Sequence, residues 1–438
     1  MKRGFIFFIF FSFTLVLHAI PYDSGWREFK QPNGVTFTAR AWGDEFTGWV
    51  ETRDGYRIVP GADGYYYYAI LSANGDFVPS NSKVGLDTPI AESYQLQLGA
   101  AKQNEIDARK ADYRRELEQN AGWFRQKRKA ANGGEVTLRV GVILVDFTPS
   151  RKHTDDSDYP YGYKKESFDK ILFSRDYWYG EFGNEKHPDG KAIYGSMRDY
   201  YNQQSQGKLD IVGKDGLPVI LNPIDPAYPG AEVPQWIVLP ESFEYYDGSA
   251  GGWSSFLSDA RNVFEVTFPG IDLDEYENLF FLYGGSWGFG GLWPKNILNM
   301  SIIGEQYFGP ENENFLCNIG VYCHEFAHQL GASDEYEGES NIDSWFWSLM
   351  RSGSYNGNET EPEFFVTPLD LSCPAGLSPF YKLLWEWSEP IYLNEMIYED
   401  FEVNYNYDNP NYYVINILGK REYFVLENRL KTGFDYYT

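Results

Sequence analysis

The spacing of apolar and polar residues changes along this 438-residue chain, and each change predicts a different element. Behind Lys2 and Arg3 lies a nearly unbroken apolar run, Phe5 to Leu17. Its length suits the core of a signal peptide and is short for a membrane span. Leu17-His18-Ala19 offers a small-residue cleavage site, which predicts a leader over residues 1–19 cut after Ala19; a retained anchor is the alternative. From about 20 to 99, short apolar–polar stretches alternate with turn signals. Gly43-Asp44-Glu45-Phe46, Trp49-Val50-Glu51-Thr52, Asp54-Gly55-Tyr56-Arg57-Ile58 and Asp63-Gly64-Tyr65-Tyr66-Tyr67-Tyr68-Ala69 read as strands joined by Asp-Gly turns. Their tyrosines suit packing on pleated strands, with a binding face as the other reading.

The pattern then turns helical. Residues 100–130 predict a charged helix ending in Arg125-Gln126-Lys127-Arg128-Lys129, followed by Asn132-Gly133-Gly134. A basic, exposed tract before a glycine break is either a solvated linker or a site of proteolytic processing. Val136-Thr137-Leu138-Arg139-Val140-Gly141-Val142-Ile143-Leu144-Val145-Asp146-Phe147 is almost continuously apolar, which predicts a strand central in its sheet. Gly195 to Lys208 predicts a helix closed by glycine. Leu279-Phe280-Phe281-Leu282-Tyr283 predicts a second buried strand, and Asn318 to Leu330 a further helix.

Composition narrows the class. The length allows two or three domains with proper cores. A net charge of −26 and a pI near 4.6 argue against nucleic acid and anionic membrane surfaces as partners. They suit a soluble secreted protein, and carboxylate clusters offer sites for Ca²⁺. Beyond the leader no segment is apolar enough to span a bilayer. Of three cysteines, Cys317, Cys323 and Cys373, an oxidising compartment allows one pair and one thiol. A Cys317–Cys373 bond would tie the approach to the last helix to a later loop. Cys323 reads as a small buried side chain. No cysteine precedes Cys317, so a thiolate from the N-terminal region cannot block a metal.

The chemistry concentrates in His324-Glu325-Phe326-Ala327-His328-Gln329-Leu330-Gly331-Ala332-Ser333-Asp334. On a helix His324 and His328 share a face, so two neutral imidazoles can bind one Zn²⁺. Glu325 is placed to reach a metal-bound water without ligating the metal, as a general base in peptide-bond hydrolysis requires. Gly331 can end the helix in a left-handed turn and send the chain back. The chain has five histidines and none follows His328. A third ligand from downstream must therefore be acidic: Asp334 first, Glu335 next, or a glutamate on a later helix. Three protein ligands with room for a water is the arrangement of a catalytic site.

These residues resemble the immune inhibitor A-like zinc metallopeptidases, secreted bacterial enzymes of metzincin type. The zinc motif with Asp334-Glu335-Tyr336 carries the resemblance. So does Ser348-Leu349-Met350-Arg351-Ser352-Gly353-Ser354-Tyr355-Asn356-Gly357, which is similar to the family's methionine turn. The resemblance implies that Met350 lies beneath the metal as an apolar floor and that the Tyr355 phenol approaches the metal or the oxyanion. Gly195–Lys208, Gly291-Leu292-Trp293-Pro294, and Tyr423 to Arg429 with Gly433-Phe434-Asp435 also resemble family segments, and the N-terminal module resembles a prodomain. Two departures stand out. Lys295 follows Trp293-Pro294, where relatives often place histidine, and the chain stops at Thr438, where relatives continue into another strand.

The expected fold is therefore α+β. A metzincin-like peptidase domain over 135–438, a twisted mixed sheet with an active-site helix and truncated at its C-terminus, follows a β-rich prodomain (20–99) and a charged helix with a basic linker (100–134). The expected activity is zinc-dependent hydrolysis of protein or peptide substrates by a secreted, latent monomer. Two other readings are a binding or adhesion protein with a structural zinc site, and a metallohydrolase of glycans or small amides.

Overall fold

The structure is a computed structural model. It describes residues 22–23, 26–43, 46, 48–61, 63–154, 159–177, 194–216, 219–248, 252–287, 295–297, 299–308, 314–335, 346–357, 371–393, 412–416, 422–430 and 433–436. The leader, Gly291-Leu292-Trp293-Pro294, Tyr336 and Thr438 lie outside them. Two compact units are present, and the chain passes from one to the other between Tyr113 and Arg114.

The first unit is an antiparallel sheet of β1 (Tyr22–Asp23), β2 (Arg27–Lys30), β3 (Thr36–Gly43), β4 (Gly48–Thr52), β5 (Arg57–Pro60), β6 (Tyr66–Leu71) and β7 (Phe77–Lys83). The strand order is β1-β3-β4-β5-β6-β7, with β2 also on β3. Period-two alternation puts Ala39, Val50, Ile58, Tyr68 and Val84 in one core, against Phe29, Phe37, Tyr56 and Tyr66. Tyr56 and Tyr68 meet edge to face at 5.6 Å, so these tyrosines do packing work. The turns at Gly55 and Gly64 carry the positive φ that Asp-Gly hairpins require.

A 31-residue helix, α1 (Ala100–Ala130), runs from the first unit into the second. In its second half Leu117, Ala121, Phe124 and Arg128 recur at helical spacing and are buried. The basic tract is therefore not a solvated linker throughout. Arg128 is 2% exposed, and its guanidinium donates to the carbonyls of Gly134 (2.6 Å), Lys208 (3.2 Å), Trp385 (3.3 Å) and Glu386 (3.3 Å). Charge counting reads such a tract as exposed; the spacing from Leu117 places one of its cations inward.

The second unit continues with β8 (Val136–Asp146), α2 (Lys165–Phe173), α3 (Met197–Gln204), β9 (Leu209–Val212), β10 (Ile237–Val238), α4 (Phe243–Gly248), α5 (Gly252–Thr267), β11 (Asn278–Trp287), β12 (Lys295–Ile297), β13 (Met300–Phe308), β14 (Asn314–Leu316), α6 (Ile319–Gln329), α7 (Pro379–Leu384), β15 (Pro390–Tyr392), β16 (Tyr412–Asn416) and β17 (Tyr423–Leu426). Its main sheet has the order β10-β8-β11-β13-β12, with β9 on β8 and β14 on β13. β8, β11 and β13 are parallel, while β12 and β14 pair antiparallel with β13. The unbroken apolar half of β8 lies between two neighbours, its residues from Val140 on being buried. β15, β16 and β17 form a separate small sheet. This is a mixed α/β unit with twisted sheets. Among the described residues no helix is long and apolar enough to cross a membrane.

A carboxyl group on β13 lies deep inside the main sheet. Glu305 on β13 is fully buried; its Oε2 accepts from the N–H of His153 (2.9 Å) and Gly285 (3.4 Å), and its Oε1 has no hydrogen-bond partner. Burial pushes its pKa up to about 8; the two N–H groups oppose the rise and Asp146 adds to it. In the unfolded chain the group ionises near its ordinary 4.5. Between about 4.5 and about 8 the folded state thus holds a proton that the unfolded state has lost, so this group makes stability fall as pH rises. Glu305→Gln is expected to flatten the pH dependence of the denaturation midpoint across that window. An unchanged slope would contradict the assignment.

Candidate metal centre

The site is built on α6, whose residues are all buried. Several contacts fix its position. Tyr201 on α3 donates its hydroxyl to the Cys323 carbonyl and packs edge-on against Phe326, with centroids 4.9 Å apart. Gln329 donates to Ser301 Oγ (2.7 Å) and the Leu279 carbonyl (3.3 Å), and accepts from Asn278 (2.7 Å), which anchors the helix to β13 and β11. At its start, Gly320 lies so close to the 3-10 turn Ser352–Tyr355 that a Cβ would sit 1.8 Å from the Ser354 carbonyl oxygen.

The i, i+4 spacing brings the rings of His324 and His328 to 4.7 Å between centroids. His324 Nδ1 lies 2.9 Å from the Leu349 carbonyl and His328 Nδ1 lies 2.8 Å from that of Ala332. A carbonyl only accepts, so each Nδ1 carries the hydrogen and each neutral ring presents its Nε2 lone pair. The two Nε2 atoms face each other at 3.1 Å.

The helix ends in the left-handed turn that delivers Asp334. Gly331 has φ +92°; its N–H bonds the His328 carbonyl at 2.9 Å, and the Ala332 N–H bonds that of Ala327 at 2.9 Å. These two bonds form a Schellman cap. The cap also turns the Ala332 carbonyl back onto His328. Asp334 then returns, and its Oδ1 lies 3.1 Å from His324 Nε2 and 3.4 Å from His328 Nε2. Burial alone would raise this carboxyl's pKa. Positive charge on the imidazole side, a proton on Nε2 or a cation in its place, outweighs burial and holds the pKa down to about 2.

Two lone-pair nitrogens and a carboxylate oxygen converge, all buried, and acceptors facing one another repel unless a cation lies between them. The spacing is close to what a metal needs. Donors at about 2.0–2.1 Å from a tetrahedral zinc lie about 3.3–3.4 Å apart. The observed separations are 3.1, 3.1 and 3.4 Å. Among the described residues no second group of three His, Cys, Asp or Glu side chains comes together in this way.

Glu325, next to His324, is fully buried. Met350 is fully buried, and its carbonyl accepts from the Glu335 N–H at 3.0 Å, which ties the turn to the residue after Asp334. The carboxylate that joins the histidines is that of Asp334, not Glu335. Tyr355 is buried on the turn that touches Gly320. The Cys317–Cys373 bond that the sequence allows is not formed in this structure. Both side chains are buried thiols, with Cys317 Sγ against the Asn318 carbonyl (3.6 Å) and Cys373 Sγ against those of Gly433 (3.5 Å) and Phe434 (3.7 Å). Sequence reasoning missed the two carbonyls that set the histidine tautomers. Main-chain acceptors leave no residue-type signal.

Residues 296–368, about a sixth of the chain, match the family model "Immune inhibitor A peptidase M6, catalytic domain". The match supports an immune inhibitor A-like metallopeptidase. The matched stretch holds α6, all three candidate ligands and the Met350 turn. Comparison with curated proteins found no match for the chain. A metallopeptidase of this family is a hydrolase with protein substrates, and the His-His-Asp cluster is compatible with its metal.

Proposed function

We propose that this chain is a secreted zinc-dependent endopeptidase, made as a latent precursor, in which Glu325 is the general base. One observation carries the reading: three buried acceptor atoms from His324, His328 and Asp334 lie within 4.8 Å of one another, with a buried glutamate, Glu325, next to His324 in the sequence. When bound, zinc would supply a water acidified toward a pKa of about 7 and an electrophile for the scissile carbonyl. The chain's own residues do the rest. The Leu349 and Ala332 carbonyls hold both imidazoles with Nε2 toward the metal. Glu325 takes the proton of the attacking water and passes it to the leaving amine. Tyr355 is the candidate donor to the oxyanion. Secretion rests on the Lys2-Arg3 start, the Phe5–Leu17 run and Ala19.

Chelation is the direct test. Casein cleavage should vanish with a zinc chelator and return on adding Zn²⁺. His324→Ala should bind no zinc and cleave nothing. Cleavage that survives either treatment would overturn the proposal.

A further inference from the structure

Asp334 lies four residues past the end of the helical hydrogen bonds, in the irregular stretch that leaves Gly331. Its position depends on what holds that stretch from outside. One hydroxyl meets the backbone just before it. Tyr381 Oη accepts from the Ser333 N–H (3.1 Å), donates to the Ser333 carbonyl (2.6 Å), and lies 3.0 Å from Ser333 Oγ. The Ser333 carbonyl belongs to the peptide unit that leads into Asp334. From these contacts we infer that Tyr381 is a positioning residue for the metal centre: its phenol pins Ser333 on both sides of its Cα and so sets where the Asp334 carboxylate points.

Tyr381 is well placed to act as a fixed point. It is 3% exposed and stacks on Trp385, with centroids 5.5 Å apart and planes 29° apart. Trp385 gives its indole N–H to the Leu330 carbonyl at 3.1 Å, and Phe124 buttresses it edge-on at 6.0 Å. The α7 segment therefore grips the turn both before Gly331 and after Ala332. It lies outside the family-matched 296–368. Groups that orient metal ligands in this way change metal affinity about 10–100-fold when removed.

The inference rests on the metal-site reading and is tested on full-length protein, with Zn²⁺ affinity measured by chelator competition and the visible spectrum of the Co²⁺-loaded form. Tyr381→Phe removes only the hydroxyl. It should fold, bind Zn²⁺ about 10–100-fold more weakly, and alter the Co²⁺ bands, which report ligand geometry. Ser333→Ala keeps the clamped backbone and should match the unaltered protein in both. Zinc affinity within about two-fold and an unchanged Co²⁺ spectrum in Tyr381→Phe would overturn the inference while leaving the site standing, since a packing role moves only thermal stability. Zinc bound as tightly by His324→Ala as by the unaltered protein would overturn the site itself. If Tyr381→Phe does not fold, Trp385→Phe, which removes the N–H given to Leu330, carries the same test with the same deciding outcomes.

Discussion

Glu325→Gln is expected to keep its zinc and to lose proteolysis by about 10²–10⁴-fold, the usual contribution of a positioned general base. Glu325 is fully buried on α6, and Gln matches it in size, so the packing around the helix is preserved. The ligand atoms belong to His324, His328 and Asp334, so metal content should stay near that of the unaltered protein. The loss should fall on kcat, because a proton acceptor for the attacking water acts in the transition state rather than in substrate binding. Metal analysis and casein kinetics on the same preparation check both halves. Unimpaired cleavage would remove Glu325 from the mechanism.

Gly331→Ala should damage both the fold and the metal site. The residue has φ +92°, which costs an L-residue about 1–2 kcal/mol. A Cβ there would lie 2.3 Å from the backbone N of Ala121 and 2.5 Å from its Cα, so the helix itself must move. Overpacking of this kind costs about 1–3 kcal/mol more. The sum, about 2–5 kcal/mol, is a large part of the 5–15 kcal/mol typical of a folded domain. Metal affinity should fall too, because the same turn carries the Ala332 carbonyl and leads to Asp334. Denaturation midpoint and zinc binding measure the two effects. Ala121→Gly should not rescue the variant, since the backbone N remains in the way. A midpoint unchanged by Gly331→Ala would show that α1 does not press on this turn.

The same residues show what was legible in the sequence. His324, Glu325 and His328 announce themselves because ligand spacing on a helix is a property of residue type. Gly331 was readable because only glycine enters a left-handed turn without penalty, and Asp334 because the histidines run out. The second role of Gly331, room for Ala121, was not readable, because it depends on a helix more than two hundred residues earlier in the chain. Arg128 misled because charge predicts exposure, whereas four carbonyls inside the fold supply what water otherwise would. The cysteines were harder to read, because three of them in a chain expected to be secreted suggest a pair, while packing holds Cys317 and Cys373 against separate carbonyls. The central strand β8 was visible from its apolar run alone. The clamp from Tyr381 was not, since a tyrosine before a tryptophan looks the same whether it packs or positions.

His324, His328 and Asp334 are proposed to share one zinc ion. Anomalous scattering at the zinc absorption edge, from crystals of protein purified in its active form, tests this most directly. The expected result is a peak about 2.0–2.1 Å from Nε2 of both histidines and from an Asp334 carboxylate oxygen. An active protein with no peak there, or with its zinc held by other residues, would contradict the account.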